Sequence, residues 1–185
     1  MFRETASNTN ERTCIAAVLP PCSAASHTLT GVLVTAVSTA QAACVLNSFA
    51  FDWALRLRTA GTHVSLTYIL PTAVPAAAAV RALPAVPTRL GWEAGLGHVT
   101  EDEAAWPAPW ASERAVAEGY GLGPEELAYV LAGFPVSARK RPCFYAYLHE
   151  RLAEWGAGSA PAGEAPLYGP PRARRLPLAA DGDAP

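Results

Sequence analysis

Between Thr13 and Phe51 no residue carries a formal charge. A neutral stretch of that length must either be buried or enter a lipid phase, and it exceeds the ~20 apolar residues that a membrane helix needs. Its interruptions argue against spanning. Pro20 and Pro21 break it, and His27, Thr28, Thr30, Ser38, Thr39, Gln41 and Asn47 would each take a polar group into hydrocarbon. The stretch is therefore expected to be protein interior, a buried strand pair followed by a core helix, and no membrane partner is expected.

At 185 residues with 51% apolar composition, the chain can build one core and is too small for two ordinary domains. The formal charge of −2 excludes a globally basic nucleic-acid coat, but the charge is unevenly spread. Residues 1 to 92 carry six Arg against three acids, residues 93 to 126 one Arg against eight acids, and the remainder a small positive excess. Only the first block can present a broad positive face. Arg3 and Glu4 near the start do not lead into an apolar signal core, so the expected localisation is cytoplasmic. Cys14, Cys22, Cys44 and Cys143 lack paired metal-ligand spacing and read as small hydrophobes in a reducing compartment. His27, His63, His98 and His149 are scattered, so no metal is expected.

Residues 12 to 19 and 28 to 37 read as strands, and Ser38 with Gln41 forms a capping-box pattern opening a helix over 39 to 58. Gly61 offers a stop, and residues 63 to 70 alternate as a third strand before Pro71. Residues 76 to 110 form a Pro-, Ala- and Trp-rich connector, whose tryptophans are expected to pack. Helices are expected near 111 to 118, from Pro124 to Gly133 and from Pro142 to Trp155. The predicted fold class is α+β: a small mixed or antiparallel sheet with a core helix over residues 1 to 75, followed by a short helical C-terminal part over 111 to 155. Residues 156 to 185, rich in Gly, Ala and Pro, read as a disordered tail.

Three segments then resemble one family. They are FRETASNTNERTCIAAVLPP at residues 2 to 21, CVLNSFAFDWALRLRTAGTHVSLTYILPTAVP at residues 44 to 75, and YGLGPEELAYVLAGFP at residues 120 to 135. In this order they are similar to the target-recognition region that follows the catalytic domain in type IIG restriction-modification enzymes, adenine-specific N6 DNA methyltransferases. That region is related to the recognition domains of type I specificity subunits. The resemblance implies a target-recognition fold, double-stranded DNA as partner, and a separately encoded or missing methyltransferase catalytic subunit. The family's N-P-P-[YF] motif and its Gly-containing loop for S-adenosylmethionine do not occur here. The cofactor is thus expected on the catalytic domain, with none in this chain, and no catalytic residue is assigned.

A recognition domain needs cations and backbone N–H groups for phosphates, and side chains that reach base edges. Arg12 and Thr13 open the first predicted strand, and Arg56 and Arg58 end the predicted helix just before Gly61, Thr62 and His63. These seven are the candidate DNA-binding residues, expected to converge at one rim. Arg12 is the first candidate for a base or phosphate contact, the alternative being an ion pair with Glu11, Asp52 or another acid. Arg56 and Arg58 can instead serve the helix dipole, and Gly61-Thr62-His63 can be a structural turn. Gly119-x-Gly121-x-Gly123 lacks a preceding strand and reads as a turn, while Arg139-Lys140-Arg141 is a basic run between helices. An alternative reading of the whole chain is a non-enzymatic protein-interaction domain or a decayed remnant, with exposed tryptophans serving a protein partner.

Overall fold

The computed structural model describes residues 1–6, 10–19, 22–24, 26–59, 61–83 and 106–159. Among these residues the chain is mostly helical, with one antiparallel sheet of two strands, so it is α+β in the coarse sense. The first strand, β1 (Phe2–Arg3), pairs with β2 (Leu29–Thr30) in the register Phe2↔Thr30 and Arg3↔Leu29. Single bridges join Phe2 to Ala16 and Thr5 to His63, so three other segments gather around the N-terminal residues.

The expected strand over 12 to 19 does not form, for a reason visible in its hydrogen bonds. Arg12, Cys14 and Ala16 are buried while Thr13 and Ile15 are less so, the alternation of a strand. The Ala17 amide donates to the Met1 carbonyl at 2.8 Å, but three other donors go to the side chains of Asp52 and Asn47. The Thr13 and Cys14 amides donate to Asp52 Oδ2 at 2.8 and 3.2 Å, and the Ala16 amide donates to Asn47 Oδ1 at 2.8 Å. Asn47 Nδ2 returns a bond to the Ala16 carbonyl at 2.9 Å, so one side-chain amide replaces a ladder partner.

The single helix expected over 39 to 58 is two: α1 (Thr39–Leu46) and α2 (Phe49–Arg56). Ser38 and Gln41 form the expected capping box on α1. The break comes at Ser48, whose extended backbone starts a second helix and whose Oγ accepts from the Phe51 amide at 3.1 Å. The third expected strand, 63 to 70, is also corrected. It holds one bridge at His63 and then the short helix α3 (Leu66–Ile69), consistent with Val64 and Ile69 being buried five residues apart, a spacing no strand face shares. Of the strand expected over 28 to 37 only β2 pairs, and Leu33 is 90% exposed.

The helix α4 (Ala77–Arg81) lies inside the expected connector, and α5 (Pro107–Gly119) begins within it. The helix α6 (Pro124–Ala132) carries Glu125 and Glu126 in its first turn, where they oppose the positive end of the backbone dipole. A further helix, α7 (Pro135–Lys140), was not expected, and α8 (Pro142–Ser159) continues four residues into the expected tail. Expectations for residues 84–105 and 160–185, including Trp92, His98, Arg172, Arg174 and Arg175, lie outside the described residues.

Two apolar clusters form the interior. One gathers the C-terminal helices around Phe134, Tyr145 and Leu148, and takes in the buried Trp106 and Trp155. The other surrounds Phe2, Cys14, Val45 and Val64. Two helices serve both: α2 gives Phe49 to the first and Phe51 and Leu55 to the second, while α5 gives Ala117 and Val116 respectively. Cys14 and Cys44 are buried as expected of small hydrophobes, but Cys22 and Cys143 are exposed free thiols. No helix among the described residues is long and apolar enough to cross a membrane.

Candidate functional site

The start of the chain, the end of α2 and the α6–α7 corner meet at one buried carboxylate. Asp52, in the FAFDWALR helix, is fully buried, and an isolated charge there would be costly. It is instead saturated. Oδ2 accepts from Arg12 Nε at 3.0 Å and from the two amides of Thr13 and Cys14, while Oδ1 accepts from Arg56 Nε at 2.9 Å. Asp52 and Arg56 are one helical turn apart, which places both on the same face.

Arg12 lies beneath the surface at 4% exposure. Its guanidinium sits 4.0 Å over the Phe49 ring and 5.2 Å from that of Phe134, and Nη2 donates to the Asn47 carbonyl at 2.6 Å. The structure thus shows the ion pair with Asp52 that the sequence offered as the alternative, and leaves Arg12 no route to a ligand at the surface. Arg56 is the outer member of the pair. Its Nε also reaches Thr13 Oγ1 at 3.0 Å, Nη1 donates to the Gly133 carbonyl at 3.2 Å and Nη2 to the Glu11 carbonyl at 3.3 Å. The ring of Phe134 lies 4.0 Å from its guanidinium carbon, a stacked cation–π contact.

Beside this network opens a cleft of about 500 Å³. Thr13, Arg56, Gly61 and Thr62, four of the seven candidate residues, line it together with Glu11, Thr59 and the Phe134-Pro135 corner. Of the other three, Arg12 is buried and does not line it, Arg58 is exposed beyond the end of α2, and His63 is exposed with Nε2 3.7 Å from Glu4 Oε2. The Thr62 carbonyl accepts from the Ala6 amide at 2.7 Å, so the Gly-Thr-His turn is held to the N-terminal segment. Glu11 is paired by Arg141 at 2.7 Å, the first member of the cleft wall to be tied to the last helix corner. Arg139 and Lys140 are exposed on α7, whose first residues Pro135 and Val136 line the cleft.

One further buried acid lies behind the network. Glu113 on α5 is 4% exposed and accepts the Phe49 amide, the free N–H at the start of α2, at 3.0 and 3.3 Å through its two oxygens. Burial raises its pKa from the ordinary carboxylate value to about 7, an effect that Arg12 and the Phe49 N–H oppose and Asp52 reinforces. Sequence reading missed Glu113 because it sits in an acidic block that looks solvated. Asn47 and Phe134 were missed for a different reason: their partners come from residues far away in the chain.

The Gly119-x-Gly121-x-Gly123 run, where a cofactor loop would be sought, connects α5 to α6. Gly119 ends α5 with Pro75 packed so close that a Cβ would meet it at 3.1 Å, Gly121 has φ of 75°, and the Gly123 amide donates to Glu126 at 2.9 Å. Among the described residues no three His, Cys, Asp or Glu side chains lie together as metal ligands. No protein-family model, no curated protein and no solved structure matches the chain.

Proposed function

We propose that this chain is the DNA target-recognition part of a restriction-modification adenine methyltransferase, acting in the cytoplasm with a catalytic domain that holds S-adenosylmethionine. One observation carries the reading. The three segments that resemble the family's recognition region converge at one place: Glu11, Arg12 and Thr13 from the first, Asp52, Arg56, Gly61 and Thr62 from the second, Gly133 and Phe134 from the third. Such a pattern is expected if the resemblance reflects a shared binding surface held on a shared scaffold. Arg56 lines the cleft, and the acids Glu11 and Asp52 are already paired, so the lining keeps an excess of positive charge.

The test is a fluorescence titration of the purified chain against a pool of random duplexes at low salt, alone and with a candidate catalytic subunit. Binding with an enriched sequence is expected. Absence of duplex binding in both conditions would sink the reading. A non-enzymatic protein-interaction domain is the second reading, and it draws on the exposed Leu33, Leu57, Leu70 and Val74. The tryptophans among the described residues do not support it, because Trp106 and Trp155 are buried and Trp53 and Trp110 pack against the C-terminal cluster.

A further inference from the structure

We infer that the cleft is a saddle for the sugar-phosphate backbone of one DNA strand, with Arg56 and Thr13 donating to a phosphate; this rests on the target-recognition reading. Shape comes first. Base edges lie at the floor of a groove, so a side chain that reads them must project from the protein surface. Arg56 does the opposite. It is 29% exposed, fixed at all three nitrogens and set in the wall of a hollow. What enters a hollow is a ridge, and the ridge on duplex DNA is its phosphodiester backbone.

Donor arithmetic points the same way. A guanidinium has five N–H groups. In Arg56 the Nε–H is shared by Asp52 and Thr13, and one N–H each of Nη1 and Nη2 goes to a main-chain carbonyl. Two N–H groups therefore remain without an acceptor among the described residues. Thr13 Oγ1 accepts from Arg56 Nε, which leaves its hydroxyl proton to be donated elsewhere, and both residues line the cleft. These three donors belong to two residues of one cleft lining, where the nearby carboxylates are neutralised: Asp52 by Arg12 and Arg56, Glu11 by Arg141. Small walls complete the fit. Gly61 has open space beside its Cα, and Thr59 and Thr62 present short polar side chains that a deoxyribose can lie against. The Asp52 and Phe134 contacts hold the guanidinium in place before any ligand arrives, so little rotamer freedom remains to be lost on binding. In this arrangement Arg12 is a positioning residue, acting on Arg56 through Asp52.

The phosphate assignment differs from base reading in what it does to sequence preference and to salt dependence. Duplex affinities of the wild type, Arg56→Gln and Thr13→Val are to be measured over a range of salt concentrations, on the enriched sequence and on scrambled duplexes, with inorganic phosphate as competitor. Arg56→Gln is expected to weaken every duplex by a similar factor, roughly tenfold, and to reduce the slope of log affinity against log salt by about one. Thr13→Val, which leaves the Asp52–Arg56 pair intact, is expected to weaken all duplexes evenly by roughly threefold, and it decides the matter if Arg56→Gln does not fold. Phosphate alone is expected to compete only at concentrations far above those of duplex. Lost preference at one base position with the salt slope retained, or unchanged affinity in both variants, overturns the saddle while leaving the recognition reading standing. Failure of the wild type to bind any duplex removes both.

Discussion

Asp52 shows how much one residue can organise when its charge is buried and its partners come from several directions. Its two oxygens receive four donors, two of them the main-chain amides of Thr13 and Cys14. Removing one member of a buried ion pair typically costs about 3 to 5 kcal/mol because the other charge stays buried. Asp52→Ala is therefore expected to lower unfolding stability by about that much in urea denaturation. A loss below about 1 kcal/mol would show that water takes over its role. Arg12→Ala is likewise expected to act mainly on stability, because the residue is buried at 4% exposure. The residue types of this network were legible in the sequence, since Asp52 is the one acid between Glu11 and Glu93, and Arg12 pairing with it was weighed. Which of Arg12 and Arg56 would face outward was not legible, because that depends on Phe49 and Phe134 covering the former.

At the scale of elements, the junction between α1 and α2 separates what local patterning can say from what it cannot. The capping box at Ser38 and the proline starts of α6 and α8 follow from a few adjacent residues, and they are where the sequence placed them. The break at Asn47-Ser48 falls inside an unbroken helical periodicity. It is fixed by bonds from Asn47 to Ala16, 31 residues away, and from Phe49 to Glu113, 64 residues away. Asn47→Ala leaves the Ala16 N–H and C=O buried without partners, and is expected to cost about 2 kcal/mol or more. Ser48→Ala removes one cap and should cost about 1 kcal/mol. Thermal or urea unfolding of the two variants checks the ranking, and equal losses would mean that the Asn47 clamp contributes no more than a cap. The strand expected over residues 12 to 19 fails for a related reason: the amides of Thr13, Cys14 and Ala16 are taken by Asp52 and Asn47, distant in the chain.

For the whole molecule, α2 and α5 belong to both apolar clusters, and Glu113 joins them by receiving the first amide of α2. A carboxyl raised to about 7 in the folded state favours the protonated form there. Its contribution to stability is fully present below the ordinary carboxylate pKa, declines as pH rises toward 7, and is lost above it. Stability is thus expected to fall between about pH 5 and pH 8 by up to about 3 kcal/mol from this group. Glu113→Gln, which keeps an acceptor for Phe49, should flatten that part of the profile. Urea midpoints measured across the range check it, and parallel profiles for the two proteins would exclude Glu113 as the cause. The pairing of Glu11 with Arg141 spans 130 residues and has a consequence in time. During synthesis residues 11 to 16 emerge before Asn47, Asp52 and Arg141, which must follow before their hydrogen bonds and charges are met. Contacts of such high sequence separation slow folding, because loop-closure entropy is lost before the contact is gained. Residues 11 to 16 thus leave the ribosome well before the partners that fix them, so the cleft is finished only when the corner between α7 and α8 arrives.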